Sequence, residues 1–317
     1  MNGMATPDVP LPVVILAGSD RERADLPESA KDLHALGGYK GLRIRLGGRP
    51  LVACIAERLR VSEAFSRIFV AGPARLFGAF GDGVEIVDTD GSFGENIRAA
   101  IDSVAPRCPG QSIAFTSCDI LPRSDRMRAL VDSWRASGPL DIWFPLVRIP
   151  ENRERLRASG WKPSYAIATQ RGRPPERLLP GHLVVADPEA LNLRFVFRLL
   201  DEGYRTRNRA VAYRRVVMAR ALLGELLRSD AAEMAALRPP VVTWSILRAG
   251  LARARELGSG TSNLVDLEDA IRTIFTRPSH RRKHPERRVK LPVVDEVWLA
   301  RDIDTWEEAE AEGGEVV

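Results

Sequence analysis

Val13-Val14-Ile15-Leu16-Ala17-Gly18 is a short apolar run that stops on a glycine. An unbroken run of this length fits a parallel strand buried on both faces better than a helix, which needs about ten residues or more. Working outward from it, Pro50 opens a helical pattern that places Leu51, Ile55 and Leu59 on one face. Residues 67–72 and 84–88 are further β-rich runs, and Ile97, Ile101 and Val104 mark a second amphipathic helix. Residues 113–117 form the fourth strand, followed at once by Cys118-Asp119 and Ile120-Leu121-Pro122. Met127, Leu130, Val131 and Trp134 line another helix, and residues 141–147 return as a strand. Alternation of this kind implies right-handed crossovers and a mostly parallel sheet with helices on its faces. Ligands of such sheets sit beyond the carboxyl ends of the strands, so the residues that follow strands are the ones to inspect.

The second half is less regular. Residues 189–202, 213–228 and 243–257 carry helical patterns, whereas 182–186 and 289–294 are strand-like. Pro174-Pro175, Pro239-Pro240 and Gly258-Ser259-Gly260 punctuate them as loops. The expected division is an α/β core over residues 12–188, a mostly helical elaboration over 189–288, and a C-terminal strand segment over 289–317. That last segment returns to the core and ends in an acidic tail, expected as a short helix that frays into solvent.

Length and composition narrow the function classes. The 317 residues suffice for one large α/β domain with an elaboration, and an apolar share of 44% argues against global disorder. The net charge of +5 favours anionic ligands without choosing among them. Cys54, Cys108 and Cys118 make neither a disulfide framework nor a zinc spacing, which fits a reducing cytoplasm. The first apolar run is too short for a signal-peptide core or a membrane span of about 20 residues, so a soluble cytoplasmic protein is expected.

Five groups of residues could carry chemistry. Leu16-Ala17-Gly18 with Ser19, then Arg21, Arg23 and Lys40-Gly41, could bring backbone N–H groups and cations to phosphate oxygens; a plain glycine turn with solvated basic residues is the bland alternative. The spacing is neither that of a P-loop nor that of a dinucleotide-binding Gly-x-Gly-x-x-Gly. Asp119 projects from a strand's carboxyl end, where a carboxylate suits Mg²⁺, although a turn aspartate would look the same. Cys118 beside it is a packing residue, because no histidine lies near it in sequence to activate it. Asp302-Ile303-Asp304-Thr305 can point two carboxylates the same way along an extended segment, with Thr305 as the N-cap of a helix carrying Glu307 and Glu308; by itself this is a capped helix start, and only a distant carboxylate such as Asp119 would make it a metal site. Gly91-Ser92-Phe93-Gly94-Glu95-Asn96 could hold a base, ribose or phosphate, or be only a capped helix start. The basic run from Arg277 to Lys290, with His280 and His284, lacks the aromatic residues of a nucleic-acid platform. A solvated loop is therefore expected there, and nucleic acid is disfavoured.

These elements, in this order, resemble the nucleotidyltransferases related to molybdenum-cofactor guanylyltransferase. The matching text is residues 13–18, Lys40, Gly47-Gly48-Arg49-Pro50-Leu51, Gly91-Ser92 with Asn96, residues 116–122, Gly181-His182-Leu183 with Asp187-Pro188, and Asp302-Ile303-Asp304-Thr305. Ser19 stands where a second glycine is usual, and Trp306 where a proline is usual. The resemblance implies a three-layer α/β/α sandwich of the glycosyltransferase-A, or nucleotide-diphospho-sugar transferase, type. It also implies Mg²⁺-dependent (or Mn²⁺-dependent) transfer of a nucleoside monophosphate from an NTP to a phosphorylated small-molecule acceptor. By the same resemblance Leu16, Ala17, Gly18, Ser19, Arg21 or Arg23, and Lys40 hold the triphosphate. Asp119 and Asp304 hold the metal, with Asp302 as the secondary ligand, and Gly91, Ser92 and Asn96 contact the nucleotide. Two rival readings stay open: a glycosyltransferase of related fold using a nucleotide-sugar, and a non-catalytic nucleotide-binding protein. A homodimer is compatible with the sequence.

Overall fold

The structure is a computed structural model that describes residues 10–19, 26, 28, 31–78, 83–152, 156, 164–206 and 211–317. Its centre is a seven-stranded sheet. From one edge to the other the strands are Arg288–Lys290, Leu140–Trp143, Leu183–Ala186, Ile113–Ser117, Pro12–Leu16, Arg67–Gly72 and Val84–Asp88. All neighbours run parallel except Leu183–Ala186, which is antiparallel to both strands beside it. The chain forms a three-layer α/β/α sandwich around this mostly parallel sheet.

The unalternating apolar runs are explained by the layers. Val13 and Ile15 belong to a core formed with Leu51, Ile55 and Leu59 of the Leu51–Val61 helix and with Met127, Leu130 and Trp134 of the Ser124–Ala136 helix. Val14 faces the other way and joins Phe69, Ala71, Ala100 and Val104 beneath the Phe93–Val104 helix. A strand covered on both sides has no solvent face to carry polar residues. The Phe93–Val104 helix starts on a reciprocal cap: the Ser92 hydroxyl accepts from the Glu95 N–H, and the Glu95 carboxylate accepts from the Ser92 N–H.

The second half contributes the helices Leu193–Arg205, Val211–Ala235, Val242–Ser259 and Leu264–Phe275. The first of them leans on the start of the Phe93–Val104 helix. There the Gly94 N–H donates to Asp201 at 2.7 Å, and Tyr204 stacks on Phe93 with ring centroids 5.2 Å apart. Leu264 of the last helix packs with Val289 and Leu291 at the far edge of the sheet.

Three local expectations are corrected. Residues 141–147 are two strands, not one: Leu140–Trp143 lies in the main sheet, and Leu146–Arg148 lies in a second sheet of four strands. The basic run is only in part a solvated loop: Arg277, Arg282, Lys283 and Arg288 are exposed, but other members are held. Pro278 opens a short helix, Pro278–Lys283, and Asp141, wholly buried, accepts from Arg272 at 2.8 Å and Arg287 at 2.9 Å, with His280 Nε2 3.0 Å away. The tail does not fray into solvent. After the Trp306–Ala311 helix, Gly314–Val316 pairs antiparallel with Ile44–Leu46.

Candidate active site

The first and fourth strands deliver two turns to one place. Leu16 and Ser117 are partners in the sheet, and just beyond them the Cys118 N–H donates to the Leu16 carbonyl at 3.2 Å. Asp119 follows, its carboxylate accepting from the Ser117 hydroxyl and its carbonyl accepting from the Ile303 N–H at 2.8 Å. That last bond holds residues 302–304 against the end of the fourth strand. Ile303 is buried, while Asp302 and Asp304 on either side of it are half-buried. This is the alternation expected of extended backbone. One ligand oxygen from each of Asp119, Asp302 and Asp304 lies within 4.8 Å of the others.

Lys40 closes the group. Its side chain is almost wholly buried, and Nζ donates to Asp304 Oδ1 at 2.5 Å and lies 3.7 Å from Asp119 Oδ2. Lys40 begins the short Lys40–Arg43 helix, which can approach this closely because the next residue has no side chain. A Cβ on Gly41 would lie 3.2 Å from Cys118 Cβ and 3.3 Å from Val52 Cβ. Cys118 is thus a buried packing residue. The approach from the other direction is also fixed, since the Leu36 N–H donates to the Asp304 carbonyl at 2.7 Å and the Trp306 N–H to the His34 carbonyl at 2.9 Å. Glu307 accepts from the His34 backbone N–H at 3.0 Å, with the His34 ring nitrogen also against its carboxylate. Burial disfavours the Glu307 charge, but these bonds prevail and hold its carboxyl below the ordinary glutamate value.

Gly18 borders the cluster from the side of the first strand. A Cβ there would lie 2.5 Å from Asn96 Nδ2, so the loop after the strand and the Phe93–Val104 helix meet without room for a side chain. Asn96 is buried, and its amide bonds run to Thr89 Oγ1 and to the N–H and carbonyl of Gly91. It shapes the 89–91 loop and stands between Gly91 and Gly18. Tyr39 and Arg75 hold that loop from outside through Asp90, at 2.7 and 2.9 Å.

The structure therefore brings Lys40, Asp119, Asp302 and Asp304 together, and, beyond the end of the adjacent first strand, sets Gly18 and Gly91 on either side of Asn96, whose helix Ser92 caps. Leu16 and Ala17 supply the backbone of the floor: the Leu16 carbonyl accepts from Cys118, and the Ala17 N–H donates to Ala71 at 2.8 Å. Ser19 follows in the same loop, whereas Arg21 and Arg23 lie outside the described residues. One neighbour escaped the sequence reading as a site residue. His182 Nε2 lies 3.5 Å from Asp302 Oδ1, and the His182 N–H donates to the Leu299 carbonyl at 2.8 Å. Its signals are its place directly before the Leu183–Ala186 strand and its position in the Gly181-His182-Leu183 stretch of the family resemblance.

Among the described residues three carboxylates gather around one ammonium, and every ligand atom that those carboxylates offer is a hard oxygen. That donor set fits Mg²⁺ or Mn²⁺ and not a thiolate-seeking or imidazole-seeking metal.

No protein-family model matches the chain, and no curated protein is similar to it. Among solved structures, the chain is similar to CMP:2-keto-3-deoxy-manno-octonic acid synthetase complexed with CTP, at 15% identity over 70% of this chain and 86% of that one, with a TM-score of 0.40. It is similar to 4-diphosphocytidyl-2C-methyl-D-erythritol synthase from Anaerococcus prevotii at 8% identity over 64% and 80% of the two chains, with a TM-score of 0.37. It is also similar to HddC from Yersinia pseudotuberculosis complexed with GMP-PN, at 13% identity over 60% and 78%, with a TM-score of 0.38. Likenesses this slight carry no functional argument, which rests on the site.

Proposed function

We propose that the chain is a Mg²⁺-dependent (or Mn²⁺-dependent) nucleotidyltransferase. It would transfer a nucleoside monophosphate from an NTP to a phosphorylated small molecule and release pyrophosphate. The observation that carries this reading is the convergence of Asp119, Asp302 and Asp304 with Lys40, beside the Gly18 loop, at the carboxyl ends of the sheet's strands. Asp119 and Asp304, with Asp302 beside them, would hold the ion. When bound, the ion supplies neutralisation of phosphate charge.

The remaining work belongs to the chain's own groups. Backbone N–H groups of Gly18 and Ser19, with Arg21, Arg23 and Lys40, would bind the triphosphate, while Gly91, Ser92 and the loop that Asn96 braces would seat the nucleoside; the Ala17 N–H is held by the Ala71 carbonyl and is not among the donors. An oxygen of the acceptor phosphate forms a bond to the α-phosphorus as the bond from that phosphorus to the bridging oxygen breaks, and pyrophosphate leaves with the electron pair. The attacking oxygen is already anionic, so no base has to remove a proton from it. What must be overcome is repulsion between anions, and fixed cations lower it most where water is excluded. We assign this chemistry to residues 12–188 and 289–317, with 189–288 as an elaboration on them.

Pyrophosphate release with each of the four NTPs, Mg²⁺ and a panel of sugar and alditol phosphates tests the proposal. Turnover that Asp119→Asn and Asp304→Asn each reduce at least about 100-fold is expected from loss of a group placed at the developing charge. Turnover untouched by Asp119→Asn would refute the assignment.

A further inference from the structure

The helices Val211–Ala235 and Val242–Ser259 form a hairpin joined by residues 236–241. One side is accounted for: Leu226, Val242 and Ile246 are buried against Phe195 of the Leu193–Arg205 helix. Apolar side chains also point elsewhere. Tyr213, Val216, Leu223 and Leu227 are exposed, and with Arg220 between them they recur at the alternating three- and four-residue spacing of a helix-pairing seam. Around the turn and along the second helix, Leu237 is 95%, Trp244 68% and Leu251 70% exposed.

The extent of this surface is that of an interface. Stripes about 10 Å wide along helices of 25 and 18 residues amount to roughly 600 Å² at 1.5 Å rise per residue. A partner in a standard interface contributes about 800 Å², and a monomer seldom leaves so large an apolar patch in water without a use for it. Composition points the same way. Residues 211–259 contain eight arginines and no lysine, together with tyrosine, tryptophan and methionine, and protein interfaces favour arginine, aromatics and methionine over lysine.

Charge does not drive pairing at this face and instead sets the sign of its salt dependence. The four acids of the hairpin are all engaged close to home. Glu225 pairs with Arg228 at 2.6 Å, Asp230 accepts from the Val242 N–H at 2.8 Å, Glu233 pairs with Arg282 at 2.9 Å, and Glu256 with Arg253 at 2.7 Å. The seam itself carries Arg220, and Arg238, Arg248 and Arg255 are exposed around it. We propose that two copies of this chain pair through the outer face of the hairpin, by apolar contact. A seam with a three-four repeat supplies both ridge and groove, as a two-fold contact requires, and closed two-fold dimers are the commonest assemblies. Such a dimer sets like charges near one another, so it has a distinctive sign: screening must help it.

The test uses the full chain in light scattering coupled to size exclusion, at micromolar concentration. The expected mass is that of two 35.1 kDa chains. The dimer fraction should hold or rise as salt goes from about 0.1 M to about 1 M, which shortens the screening length from ~10 Å to ~3 Å. Leu227→Glu with Leu251→Glu should give a monomer with unchanged circular dichroism and unchanged thermal shift by NTP. If that pair does not fold, Trp244→Ser alone should raise the dimer dissociation constant at least tenfold. A wild-type monomer at tens of micromolar, or a dimer that survives the substitutions, overturns the proposal. So does a dimer that dissociates with salt, which would mark an ionic contact. A monomer that sediments with vesicles of phosphatidylglycerol overturns it in favour of a bilayer surface.

Discussion

Lys40→Met offers the sharpest view of how the site is balanced. The substitution keeps the length of the side chain and removes its charge. Lys40 Nζ stands 2.5 Å from Asp304 Oδ1 and 3.7 Å from Asp119 Oδ2, in a side chain only 7% exposed. At an effective dielectric of about 20 the closer pair attracts by roughly 6–7 kcal/mol and the longer by roughly 4–5 kcal/mol. Desolvation of the three groups returns much of this, and removing one partner of a buried pair costs about 3–5 kcal/mol in practice. Without the ammonium, carboxylate oxygens up to 4.8 Å apart repel one another by roughly 3–4 kcal/mol per pair at the same dielectric. The metal-free variant should therefore melt well below the wild type. Mn²⁺ should recover more of the variant's stability than it adds to the wild type, because the ion relieves the same repulsion that the lysine relieves. Bound at one hundred times its dissociation constant, an ion adds about 2.7 kcal/mol. Differential scanning fluorimetry with and without Mn²⁺ measures both quantities. Equal melting temperatures without metal, or equal shifts with it, would refute the electrostatic account of the cluster.

Two further outcomes follow from packing and charge away from the acids. Gly18→Ala forces a methyl to within 2.5 Å of Asn96 Nδ2, so it should cost about 1–3 kcal/mol as overpacking does and should weaken NTP binding, read as a smaller thermal shift by nucleotide. Asp141→Ala removes the shared acceptor of Arg272 and Arg287; urea unfolding should register a loss of about 3–5 kcal/mol, with the metal response of the remaining folded protein unchanged.

Much of the scaffold was legible because burial on both faces leaves a mark in local sequence. The Pro12–Leu16 and Ile113–Ser117 strands are unbroken apolar runs, and the residues just past them are where a parallel sheet exposes its carboxyl ends. Asp119 could be found by that logic, whereas Asp302 and Asp304 read by themselves as a capped helix start, and only the family resemblance joins them to Asp119. What stayed hidden depends on partners far away in the chain. The basic run reads as solvated because its counter-charge, Asp141, lies 139 residues before His280 and 146 before Arg287. His182 gave no local sign of standing near Asp302. The tail strand escaped notice because three residues rich in neither β-branching nor alternation form a strand only when Ile44–Leu46 offers an edge. Residues 141–147 look like one strand in sequence because a change of sheet at Phe144 and Pro145 leaves the apolar pattern intact.

Lys40 and Asp304, which touch, are 264 residues apart. A ribosome adding about 5–20 residues per second therefore leaves roughly 13–50 s between the appearance of the cation and that of the acid it neutralises. Through that interval Asp119 has no partners from the far end of the chain, and the pair that would grip an ion does not exist. A nascent chain arrested before residue 302 can build most of the central sheet, yet it lacks two of the three carboxylates. Assembly of the acidic cluster is thereby deferred until translation is nearly finished.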